Sequence, residues 1–79
     1  MENDLTKGIY PTGFRVGDRV RIVKGPRKYN KGIPLQVGDT GTVREPPNIE
    51  GWPQDAVQVH VDGEGEGALD SCILEKVSQ

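Results

Sequence analysis

Ala56-Val57-Gln58-Val59-His60-Val61-Asp62 is the stretch that decides the fold. Its three valines fall at every second position, alternating with Gln58, His60 and Asp62. That is the period of a strand turning one face to a core and the other to water, and β-branched side chains suit the pleated surface. Asp62-Gly63 then begins a reversal of the kind that joins hairpin strands, and the glycine-rich run to Gly67 predicts a flexible tip. Working outward, Phe14, Val16, Val20 and Ile22 alternate with Arg15, Arg19 and Arg21, a second strand pattern entered through a turn or bulge at Gly17-Asp18. Residues 40–45 read as a short strand, with Gly41 where a neighbouring chain must approach closely. Residues 68–72 read as a short strand or a single helical turn, and Ile73, Leu74 and Val77 as the closing strand. The pattern predicts an all-β domain of about five short strands closed into one small barrel, because closure removes edges that so small a sheet cannot protect. The inward register assigns Val20, Ile22, Val43, Val57, Val59, Val61 and Leu74 to the core.

The chain has 79 residues, enough for one domain with a thin core. Residues 1–13 are polar and aperiodic, so they read as a flexible N-terminal arm that pins Ile9 and Tyr10 onto the domain; residues 14–79 form the barrel. A single cysteine permits no internal disulfide, and Cys72 with His60 supplies too few ligands for structural zinc. Cys72 is expected to be a buried, inert thiol. No apolar run reaches the length of a membrane span, and a soluble cytoplasmic setting is the expectation. The net charge of −2 hides an asymmetry: residues 1–44 carry nine Lys or Arg against four acids, and residues 45–79 carry eight acids against one Lys. Two arrangements follow, one in which the charges interleave in space and one in which they stay apart. The second places Arg19 and Arg21 beside the basic loop, where they steer an acidic partner.

Two loops carry the candidate binding residues. Residues 24–36 break the strand pattern with two glycines and two prolines, and gather Lys24, Arg27, Lys28 and Lys31 around Tyr29. Residues 46–55 form a proline-rich loop with Ile49 and Trp52. A tryptophan between Gly51 and Pro53 serves either as an interface anchor on a stiff loop or as a lid over the barrel end. His60 faces outward without catalytic neighbours, and no Ser-His-acid set, phosphate loop or metal cluster can be assembled. The acids Asp62, Glu64 and Glu66 before Gly67 imitate the start of a calcium loop, but its twelfth position is Ile73, so a solvated hairpin tip is expected. No cofactor, no metal and no enzymatic activity are expected.

The runs Val16-Gly17-Asp18-Arg19-Val20-Arg21-Ile22-Val23, Val37-Gly38-Asp39-Thr40-Gly41-Thr42-Val43, Val57-Gln58-Val59-His60-Val61 and Leu74-Glu75-Lys76-Val77 together resemble small SH3-like barrels. The first two look like the KOW pattern of ribosomal proteins and transcription elongation factors. The order of motifs is also similar to the variable chain of ferredoxin-thioredoxin reductase and to a small photosystem subunit that helps dock ferredoxin. The resemblance implies a barrel and a binding role, with the function set by the loops. The leading expectation is a protein-docking adaptor using Arg27, Lys28, Tyr29, Ile49 and Trp52. The alternative is a KOW-like module that contacts RNA or the transcription or translation machinery through Arg19, Arg21, Arg27, Lys28 and Lys31. A third likeness, to type II dihydrofolate reductases, rests on Gly17-Asp18-Arg19-Val20-Arg21 and Val57-Gln58-Val59-His60. It ranks last, because the tip at residues 62–70 separates the second motif from the terminal segment.

Overall fold

The computed structural model describes residues 9–25, 27–29, 35–47 and 50–77. It is all-β: five antiparallel strands curl into a half-barrel, and no α-helix occurs among the described residues. The strands are β1 (Arg19–Ile22), β2 (Thr40–Val43), β3 (Ala56–Val61), β4 (Gly65–Asp70) and β5 (Leu74–Lys76), with a 3-10 turn at Ser71–Ile73 before β5. In the sheet their order is β4-β3-β2-β1-β5. Each consecutive pair from β1 to β4 is thus joined by a reversal between neighbours, and β5 returns to the free side of β1.

Alternation sets the core. Val20, Ile22, Val43, Val57, Val59, Val61 and Leu74, the full inward set read from the sequence, are all buried. Tyr10, Phe14, Leu69 and Ile73 join them in one cluster. Tyr10 comes from the N-terminal segment, which folds back through an Ile9–Arg15 bridge and a Tyr10 amide bond to the Phe14 carbonyl at 2.7 Å. Its phenol donates to the Arg44 carbonyl and accepts from the Gln58 amide at 3.2 Å, so a buried hydroxyl is satisfied at both ends.

Several local expectations are corrected. Val16 is 39% exposed, because the turn at residues 16 and 17 postpones β1 to Arg19 and takes Val16 out of the strand register. Gln58 is buried although it alternates with the inward valines; its amide nitrogen Nε2 donates to Glu66 at 2.9 Å and its backbone amide is covered by Tyr10. The reversal at Asp62-Gly63 is as expected, but the glycine-rich run beyond it is strand rather than flexible tip: Val61 already pairs with Gly65, and positive φ at Gly63 and Gly65 lets the chain turn within residues 62–64. Cys72 is exposed, since the 3-10 turn directs Ile73 inward and leaves its neighbour outside. Gly41 meets its expectation: a Cβ there would lie 2.6 Å from the His60 carbonyl oxygen across the β2–β3 pair.

Candidate functional site

Both loops singled out in the sequence converge on one end of β3. Asp55, the residue before that strand, accepts a hydrogen bond from the Tyr29 hydroxyl at 2.6 Å and one from Lys28 Nζ at 2.9 Å. The next residue, Ala56, accepts the Trp52 indole N–H at 2.8 Å through its carbonyl. Ala56 faces Asp70 in the β3–β4 ladder, which brings a second carboxylate to the same place. Asp70 is only 3% exposed, and its oxygens accept the backbone N–H groups of Arg27 at 2.9 Å, Lys28 at 3.0 and 3.1 Å and Tyr29 at 3.4 Å. A buried carboxylate needs such partners to remain charged.

The electrostatics follow from these contacts. The Tyr29 hydroxyl and the Lys28 ammonium hold the Asp55 carboxyl below its ordinary value, and Asp55 in turn raises both Lys28 and Tyr29. For Asp70, burial pushes the carboxyl up, but the three loop amides together with its own backbone amide outweigh burial and hold it down. Arg27 is exposed and forms no ion pair among the described residues. A shallow recess lined by Arg27, Lys28, Asp55, Asp70, Ser71 and Cys72 lies between the loop and the 3-10 turn.

Trp52 is half-buried and packs against the core cluster, its ring tilted 59° to that of Tyr10 at a centroid distance of 6.5 Å. It lies over the apolar interior with part of its ring in water. Ile49 and Lys31 fall outside the described residues.

The arginines of β1 are arranged differently from the segregated pattern. Arg19 Nη2 pairs with Asp62 at 2.7 Å and its Nη1 bonds Thr42 at 2.8 Å; Arg21 pairs with Glu75 at 2.7 Å, directly across the β1–β5 ladder. Lys28–Asp55, Arg44–Glu66 and Lys76–Asp18 complete the ion pairs among the described residues. Every one joins residues 1–44 to residues 45–79. The fold brings acids of the second half against cations of the first, so the charge separated along the chain interleaves in space.

Asp55 and Asp70 were not singled out by sequence reasoning. Asp55 reads as the end of a loop and Asp70 as one acid among several. The partners of Asp70 lie 41 to 43 residues away, so only the fold reveals them. No group of three His, Cys, Asp or Glu gathers at metal-binding separation among the described residues, and no helix there is long and apolar enough to cross a membrane. No protein-family model, curated protein or solved structure matches the chain.

Proposed function

We propose that this chain is a non-catalytic protein-docking adaptor built on a small SH3-like barrel, and that its binding face is the end of the half-barrel where the two loops meet. The observation that carries this reading is the convergence on Asp55-Ala56: one residue holds Tyr29 and Lys28, and the next holds Trp52. Two segments far apart in sequence are thereby tied to adjacent residues at one strand end, and they bring there Arg27, which has no ion pair among the described residues, a fixed phenol at Tyr29 and a partly buried indole at Trp52. Arginine, tyrosine and tryptophan are the residue types that dominate binding energy at protein interfaces. A preordered loop loses less entropy on binding than a free one.

The nucleic-acid alternative is weakened by the same contacts. Arg19 and Arg21, two of the five cations it needs, are matched by Asp62 and Glu75, and phosphate binding depends on unmatched positive charge. The test is a pull-down from the native host, with the wild-type chain beside Arg27→Ala. A protein retained by the wild type and lost with the variant is the expected result. Equal retention by both forms overturns the assigned face, and steeply salt-dependent capture of RNA instead supports the KOW-like alternative.

A further inference from the structure

We propose that Asp70 is the latch of the docking loop: its carboxylate, fixed at the end of β4, holds the backbone of Arg27, Lys28 and Tyr29, and the loop opens apart from the sheet when that charge is removed. Three consecutive amides converge on this one side chain, within 2.9 to 3.4 Å. Among the described residues no backbone carbonyl accepts from those amides, so the carboxylate replaces the ladder that holds other parts of the chain. The side chains of residues 27–29 contribute nothing to the hydrophobic cluster, whereas every strand does. Residues 27–29 are therefore held by polar contacts while the strands are held by apolar ones, and Leu35 at the far end of the loop still packs against the core. This is the condition for opening at residues 27–29 without global unfolding.

The titratable and charged groups facing Asp70 are Arg27, Lys28 and Tyr29 from the loop, Asp55 from the turn before β3, and Cys72 from the 3-10 turn. Against burial, the backbone amides favour its ionised form, so the latch is closed at neutral pH and opens only as pH falls below the ordinary aspartate value. Asp55 contributes differently: it fixes the Tyr29 phenol and the Lys28 ammonium and touches none of the three amides. The latch itself is independent of the docking reading; only its effect on partner capture rests on that reading.

Amide hydrogen exchange on Asp70→Asn and Asp55→Asn at neutral pH tests the assignment. In Asp70→Asn the amides of Arg27, Lys28 and Tyr29 are expected to exchange about tenfold faster or more, the loss expected when bonds to a charged acceptor are removed. The amides of Val20, Ile22, Val57 and Val59 are expected to keep their protection. Asp55→Asn is expected to leave the three loop amides protected. Unchanged loop protection in Asp70→Asn overturns the latch, as does faster exchange of loop and strands in step. If Asp70→Asn does not fold, the wild-type chain is titrated with acid: loop amide resonances moving before those of β3 support the latch, and one common midpoint overturns it. A loop that opens in Asp70→Asn while partner capture is unchanged confirms the latch and removes the docking reading instead.

Discussion

A methyl group on Gly41 would stand 2.6 Å from the His60 carbonyl oxygen and 2.7 Å from Cγ1 of Val59. Neither neighbour yields easily: one is backbone in the partner strand, and the other is a fully buried valine. Gly41→Ala therefore forces β2 and β3 apart and is expected to cost about 1 to 3 kcal/mol, the usual penalty of overpacking, read as a lower urea midpoint. An unchanged midpoint would show that the sheet has slack at this crossing. Trp52 poses a different question, because its ring is half in the core and half in water. Its contact with Tyr10 and its bond to Ala56 tie it to the interior. Trp52→Ala is expected to lower stability by about 2 to 3 kcal/mol, somewhat less than truncation of a fully buried tryptophan, and thermal melting reads this directly. A melting point that holds, together with partner binding weakened by about 2 kcal/mol or more, would make the ring an anchor and not a lid.

The β3–β4 hairpin shows which features of an element can be read from sequence. The inward valines of β3 were legible because a period of two is a local property, independent of what lies across the strand. Val59→Ala is accordingly expected to cost about 1 to 3 kcal/mol through lost burial and a residual cavity. Gln58→Ala is expected to cost about 1 kcal/mol, from one lost hydrogen bond to Glu66. Chemical denaturation that reversed this order would mean the register is wrong. What alternation does not encode is cover: Gln58 is on the outward register, yet Tyr10 from the N-terminal segment and Glu66 from the neighbouring strand close over it. Val16 and Cys72 escaped for a related reason. Each is adjacent to a reversal, at Gly17 and in the 3-10 turn, and a reversal resets which neighbour faces inward. The two long loops were visible as binding candidates from their composition. Their meeting point was not, since it depends on Asp55 and Asp70, whose partners in the loop are 26 to 43 residues away.

At the scale of the molecule, the paired charges act as fastenings between its two halves. All the ion pairs among the described residues join the basic first half to the acidic second half, and each lies at least partly in solvent. Exposed pairs of this kind each contribute little, and matched pairs steer a partner weakly. If the chain docks onto a protein as proposed, the association rate is therefore expected to change little between low and moderate salt, and a steep decline would show that cations without an ion pair among the described residues, such as Arg27, dominate the encounter.

The acids make a sharper prediction. Asp62 is held below its ordinary value by Arg19 first and then Thr40; Asp55 is lowered by Tyr29 and Lys28, and Asp70 by the loop amides acting against burial. When a carboxyl has a lower pKa folded than unfolded, the unfolded chain takes up protons first as acid is added. The stability these groups confer is then complete above the ordinary aspartate value of 3.8 and is lost as pH falls through their lower folded values. The urea midpoint is expected to hold from neutral pH down to about 4 and to fall below it. Asp62 bridges Arg19 of β1 and Thr40 of β2 from the end of β3, so it fastens three strands at once. Asp62→Asn has no carboxyl to titrate there. It is expected to start from a lower midpoint at neutral pH and to decline less steeply in acid, and an acid decline as steep as that of the wild type would remove Asp62 as a source of the pH dependence.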